Sequence, residues 1–543
     1  IFTIMPKVQV KVPKRSGFDK SFQNILTTKC GTLTPILCDE LIPNTKVHLT
    51  DVISASLPPL ASDTFMRCNL KMEAFFVPTR LLYGGFEQWI TRDVHYNPVT
   101  AAYESAFIPL LNVAVGNAYI GAGTLSDYLG VRSLNSSVQG DSINLNIFPF
   151  LAYHRIYDDW YRNTLVQTNV FVQPSAGSAN IQTLGSSQSY ANKLFALPYI
   201  NFSVQSTGYT AFSLSDTFAD GVALGALRQR NFGTDYFTNA LPQPQLGNAQ
   251  SVSFNTSGAT GSFTIASLRA ANSLQQWSER NAMAGFRLQD YVKANFGADL
   301  STGVAQRAIY LGSAEVPVYS KGVYQTTPYD TATPVTDNPF EGSPAAEFGS
   351  AQCAGKVELV KDFTAQEPGY LMVLASLVPV VTYSQGVERM MLRYNAQSSQ
   401  TDMATPILQN VGNQPIYQIE LTGDFSSPTA VFGYSDRYAD FKHRNDELHG
   451  LVRDGQSLQS FALQRSVTGT PTISNTFLQI PTSYLDQVAA VAGSISSYGC
   501  WIDCFHDYKV SMPLSAYSIP SLQDPAYEHG NDVDIQFGGS RIS

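Results

Sequence analysis

The chain has 543 residues and a formal net charge of −9, with charged residues at only 14% against about 25% in ordinary globular chains. No apolar run approaches the roughly 20 residues of a membrane helix. The longest, Leu371 to Val381, is interrupted by Ser376 and Pro379. These values exclude a helical membrane protein and leave two to four ordinary domains, or one sandwich swollen by insertions.

Aromatic residues reach 12%, including 28 Tyr and 31 Phe. Aromatic enrichment with charge depletion marks interface cores, so much of the surface is expected to be covered by other chains. The charge is uneven. Residues 1–29 carry six basic side chains against Asp19 alone, leaving 28 basic and 42 acidic residues elsewhere. A basic arm on an acidic body suits a polyanion. The six cysteines form no C-x-x-C pair, so we expect free thiols and a reducing compartment. The first residues lack an apolar signal core.

In chain order, residues 1–29 read as an extended arm in which Val8, Val10 and Val12 alternate with Lys7, Gln9 and Lys11. Strand-like segments follow at Gly31–Leu37 and Lys46–Ile53. The next stretch, Thr64 to Ile90, alternates strictly in its first half. Met66, Cys68, Leu70, Met72, Ala74 and Phe76 fall on one side, and Arg67, Asn69, Lys71 and Glu73 on the other. That is a strand with one buried face. Pro78 ends it, lacking an N–H for a ladder, and Tyr83, Phe86 and Trp89 follow. Closely spaced strands with turn signals between them suggest an antiparallel sandwich.

Residues 97–147 read as loop. Phe148–Arg162 places Tyr153, Ile156, Tyr157, Trp160 and Tyr161 at helical spacing. Its His154, Asp158 and Asp159 read as solvated polar-face residues rather than metal ligands. Residues 164–221 form a low-charge insertion, and 228–247 a polar, aromatic loop stiffened by Pro242 and Pro244. A helix is expected from Ile265 to Phe296, closed by Gly297, with Gly285 weakening it as a single rod. Residues 320–352 read as a Pro-, Thr- and Gly-rich loop. Strands are expected at Gly369–Thr382, buried on both faces, at Ile416–Leu421 and at Tyr498–Met512. In the last, Cys500, Cys504 and His506 share a face, but their spacing matches no usual zinc pattern. We assign no metal and no cofactor.

No P-loop, G-x-G-x-x-G, H-E-x-x-H or G-x-S-x-G motif occurs, and no sequence feature pairs carboxylates for acid–base work. Phe432–Arg444, FGYSDRYADFKHR, interleaves Tyr434, Tyr438 and Phe441 with Arg437, Lys442 and Arg444. Such a mixture stacks bases and neutralises phosphates, yet Asp436 and Asp440 dilute its charge, and we read it as a subunit contact. Exposed Tyr, Trp, Asn and Gln would also suit a β-sandwich glycan-binding protein or glycosidase.

Seven ordered motifs between Phe75 and Leu522 carry a resemblance. They are FFVPTRLLYGGFEQWI, AYHRIYDDWYR, DYFTNALPQPQ, LQQWSERNAMAGFRLQDYVKANFG, GYLMVLASLVPVVTYSQGVERM, FGYSDRYADF and MPLSAYSIPSL. The series resembles the major capsid proteins of microviruses, small bacteriophages with circular single-stranded DNA, in their gokushovirus-like form. The resemblance implies a mainly β fold: an eight-stranded antiparallel viral jelly-roll sandwich, residues 30–543, with long insertions at about 97–147, 164–247 and 320–352 containing a few helices. It implies a structural protein without enzyme activity, assembled in the bacterial host cytoplasm into a T=1 icosahedral virion shell around single-stranded DNA. The implied partners are further copies of the chain, the packaged DNA, a small basic DNA-binding protein, a pilot protein and a host receptor. We expect Lys7, Lys11, Lys14 and Arg15 to meet the DNA. Tyr83, Phe86, Trp89, Tyr236, Phe237, Tyr434, Arg437 and Tyr438 are expected at subunit contacts. In many relatives a large insertion follows the PQ motif; here only some twenty residues separate Gln245 from Ile265.

Overall fold

The computed structural model describes residues 15–62, 64–91, 94–97, 102–105, 108–134, 141–171, 211–244, 265–284, 288–297, 306–324, 347–392, 413–428, 430–436 and 438–514. Nine strands carry the fold: β1 (Ser16–Asp19), β2 (Phe22–Thr28), β3 (Thr34–Leu41), β4 (Lys46–Ser56), β5 (Cys68–Pro78), β6 (Ile309–Tyr324), β7 (Glu347–Thr364), β8 (Gly369–Pro379) and β9 (Cys500–Met512).

Their pairing is nested. β2 pairs with β9, β3 with β8, β4 with β7 and β5 with β6, each antiparallel. Matching outermost with outermost strands describes one long ribbon folded over itself, and β9–β4 and β8–β5 ladders close the fold. The result is an eight-stranded jelly roll. One sheet reads β2-β9-β4-β7 and the other β3-β8-β5-β6, with β1 extending the β9 edge. β6 serves both sheets. Ile309–Val318 pairs with β5, and Tyr319–Tyr324 turns away to pair with β7.

The alternation in β5 sets the core between the sheets. Cys68, Leu70, Met72, Ala74 and Phe76 are buried there with Leu49, Ile53, Leu371, Val373, Cys500, Ile502 and Cys504. β8 is buried at every residue because its other face is also covered. Tyr370, Met372 and Leu374 join Phe75 and Val77 in a second core against helix α1 (Phe148–Ile156), which runs on into a π-helical turn at Tyr157–Tyr161.

The structure corrects several expectations. The segment read as an arm is sheet from Ser16 onward. Loop 97–147 contains short strands, including Leu110–Ala114 paired with Ser142–Asn146, and segment 320–352 contains the ends of β6 and β7. The strand expected at Ile416–Leu421 is a strand Gln414–Tyr417 followed directly by a helix Gln418–Thr422. The expected long helix is α2 (Ile265–Ala284) and α3 (Leu288–Phe296). Gly297, at φ +67°, closes α3. No helix among the described residues is long and apolar enough to cross a membrane.

Candidate assembly surface

On α1 the polar residues are buried rather than solvated. His154 is fully buried; its Nδ1 lies 2.9 Å from the donating Arg228 Nε, and its Nε2 lies 2.9 Å from the Leu224 carbonyl oxygen. Accepting at Nδ1 makes the ring neutral, with the proton on Nε2. Burial, then the Arg228 charge, hold its pKa well below the usual 6.5. Asp158 and Asp159 pair with Arg162 and Arg155 one turn away. These groups are structural: His154 ties the helix to Leu224 and Arg228, while Asp158 and Asp159 also accept from the Val170 and Ala308 N–H groups at 3.1 and 2.9 Å.

The expected contact residues divide by burial. Tyr83 and Phe86, at 1% and 7% exposure, are corrected to the second core, where Phe148 packs on both rings. Pro78 turns the chain out of β5, and the apolar residues behind it fold back over the outer face of the same sheet. Trp89, on the short helix Phe86–Ile90, remains 37% exposed.

The remaining contact residues are brought together by the fold. The Leu241 N–H donates to the Tyr434 carbonyl at 2.7 Å, and the Tyr434 N–H returns the bond at 2.8 Å. The DYFTNALPQPQ and FGYSDRYADF motifs, far apart in sequence, therefore form one unit. Phe237, at 6% exposure, is likewise corrected from a contact to a small core, with Tyr383, Ile416, Leu421 and Phe432. Tyr236 donates its hydroxyl to Glu420 Oε2 at 3.1 Å. Tyr438 holds a left-handed backbone at φ +63° and donates its N–H to Gln414. Arg437 lies outside the described residues. A cavity of about 500 Å³ opens beside this unit, lined by Tyr236, Arg389, Glu420, Phe441, Arg444 and His449 among others. Arg389 and Glu420 form a buried pair at 2.9 Å. Arg444 lies 3.3 Å from Glu388 and 3.4 Å from Glu447. Acidic neighbours thus offset the basic residues, which suits a packed contact better than a phosphate track.

Of the expected DNA-binding residues, Lys7, Lys11 and Lys14 lie outside the described residues. Arg15 is exposed at the sheet edge, donating to Asn44 Oδ1 at 2.7 Å, the Asn44 carbonyl at 2.7 Å and the Ser511 carbonyl at 3.1 Å. Neutral oxygens hold its guanidinium without cancelling its charge.

Sequence reasoning missed a further surface. The outer face of β2-β9-β4 presents Ile25 at 72% exposure, Val52 at 45%, Trp501 at 48% and Phe505 at 40%. Strand alternation gave the signal, but only the ladders place these residues on one face. Among the described residues, Asp51, Cys504 and His506 form a buried group whose donor atoms converge.

Residues 6–522 match the family described as capsid protein (F protein). The chain belongs to that family. This capsid chain is 26% identical to capsid protein VP1 of Chlamydia phage 1, over 94% of its own length and 96% of the relative's. It is also 26% identical to VP1 of Bdellovibrio phage phiMH2K, over 93% and 95%, and 24% identical to VP1 of Spiroplasma virus 4, over 96% of both. It is a structural major capsid protein, and its place is the virion.

Proposed function

We propose that the capsid chain closes a shell around single-stranded DNA and that its basic N-terminal segment faces the genome. The sheet edge supports this reading. Arg15 is anchored beside β9, and Lys7, Lys11 and Lys14 precede it closely in the sequence. Trp89, the joined 235–245 and 432–444 motifs and the uncovered face of β2-β9-β4 supply subunit contacts, while the jelly roll acts as a rigid wedge without catalysis. A small basic DNA-binding protein, a pilot protein and a host receptor complete the proposed partners. The family match favours this reading over a glycan-binding sandwich.

The test replaces Lys7, Lys11, Lys14 and Arg15 by Gln in assembling chains. Each lost phosphate contact should flatten the dependence of DNA binding on salt by about 0.7 in the log–log slope for single strands, and DNA per particle should fall. Particles that package DNA at normal yield with an unchanged salt response would overturn the proposal.

A further inference from the structure

We propose that Asp51, Cys504 and His506 form a zinc site sealed inside the jelly roll. Asp51 on β4 stands opposite His506 on β9 in the antiparallel ladder, and Cys504 lies two residues before His506 on the same inward face. All three are at 0% exposure. One donor atom from each lies within 4.8 Å of the others: His506 Nδ1 is 2.7 Å from Asp51 Oδ1 and 3.8 Å from Cys504 Sγ.

A second observation points to a ligand. Asp51 Oδ2 is buried and has no hydrogen-bond partner. A carboxylate sealed in the core with one oxygen unused is costly, and the contact with His506 occupies only the other oxygen. A divalent cation does, because Asp51 then chelates through both oxygens and its charge is met directly.

The donor set selects the ion. Calcium and magnesium take all-oxygen sites; a thiolate, an imidazole and a carboxylate together suit zinc. Zinc–sulfur and zinc–nitrogen bonds of about 2.3 and 2.0 Å at a tetrahedral angle place sulfur and nitrogen about 3.5 Å apart. The observed 3.8 Å must close by a few tenths, and the 2.7 Å between Nδ1 and Asp51 Oδ1 must open to the roughly 3.3 Å that zinc–nitrogen and zinc–oxygen bonds require. The sulfur, Nδ1 and the chelating carboxylate make a three-cornered site with four donor atoms, distorted from a regular tetrahedron by the narrow carboxylate bite. Binding exchanges the Cys504 thiol proton for the metal and releases it to solvent. Without a cation, burial and then the Asp51 carboxylate hold that thiol protonated.

Sequence spacing had offered Cys500 in this role. The ladder substitutes Asp51, 455 residues from His506, so the metal joins an early strand to a late one. Phe22 packs on the imidazole, ring centroids 4.8 Å apart, and roofs the group from β2. Because the group is sealed, the metal enters during folding and leaves slowly.

The experiment uses particles of the full chain made in zinc-supplemented cells, treated with EDTA and measured by mass spectrometry of metals. Wild type and Cys500→Ser should retain about one zinc per chain, and Cys504→Ser and Asp51→Asn less than about a tenth of that, as a four-donor site requires. Cobalt-grown wild type should show a near-ultraviolet thiolate-to-cobalt band. That spectrum decides the matter on the unmodified chain should the variants not fold. A zinc-free wild type, zinc retained by Cys504→Ser, or cobalt without the thiolate band overturns the site.

Discussion

Arg230 holds Glu73 with both terminal guanidinium nitrogens, at 2.6 and 3.2 Å, and also donates to Ser376 Oγ at 3.0 Å. Glu73 belongs to β5 and Ser376 to β8, so one arginine fastens two neighbouring strands of the outer face to the loop that follows residue 221. Both partners of the ion pair are only 16% exposed. Replacing Arg230 by Ala leaves a carboxylate half-sealed against apolar surface, and we expect a loss of about 3 kcal/mol, the low end for a broken buried pair. Urea unfolding of the unassembled chain measures it. Glu73→Gln combined with Arg230→Ala should recover part of that loss, because no charge is then stranded.

His154 sets a pH dependence. The folded chain keeps the ring neutral, while the unfolded chain takes up a proton below about 6.5. The unfolded state therefore binds more protons as pH falls, so the His154 contribution is fully present above that value and is lost on acidification. Between pH 6 and 5, unfolding free energy should fall about 1.4 kcal/mol per pH unit more steeply in wild type than in His154→Gln. Equal slopes would show that the ring is already protonated in the fold.

Gly499 opens β9 at φ +74°, where an added Cβ meets the Thr28 carbonyl at the end of β2. Gly499→Ala should cost at least about 2 kcal/mol through the backbone alone, because φ +74° with ψ −163° is a region essentially only glycine occupies. The same substitution at Gly450, φ +74° with nothing within 4 Å, meets no clash, and its unfolding midpoint should move less.

Tyr83 and Trp89 stand six residues apart and should fail differently. Tyr83→Ala empties a filled core position, and the chain should lose about 3–5 kcal/mol. Trp89→Ala should leave unfolding within about 1 kcal/mol of wild type and lower the yield of closed particles. Sedimentation of assembly mixtures distinguishes the two.

The strands written plainly in the sequence are those whose inner residues are large. β5, β8 and β9 alternate Leu, Met, Ile, Tyr and Cys against polar residues or are apolar throughout, and their bounds fall close to the expected ones. β6 and β7 were hidden. β7 turns Ala351 and Cys353 inward, side chains too small to print a strong alternation. β6 carries Pro317, which argues against a central strand. Over Ile309–Val318, however, β6 pairs with β5 alone, so the proline sits on a local edge. The buried polar sites were illegible for another reason. Asp51 with His506, Glu73 with Arg230 and His154 with Arg228 are joined by register and tertiary packing, and no local spacing encodes them.

The nested pairing also has a kinetic side. β9 lies between β2 and β4, both built from the first 56 residues, yet it begins only at Cys500. Until the ribosome has delivered that strand, β2 and β4 hold a vacant slot between them and the first sheet has no middle. Closing a loop of that length makes such a fold slow to complete. A chain truncated before Cys500 therefore lacks the strand that joins β2 to β4 and cannot present the finished wedge.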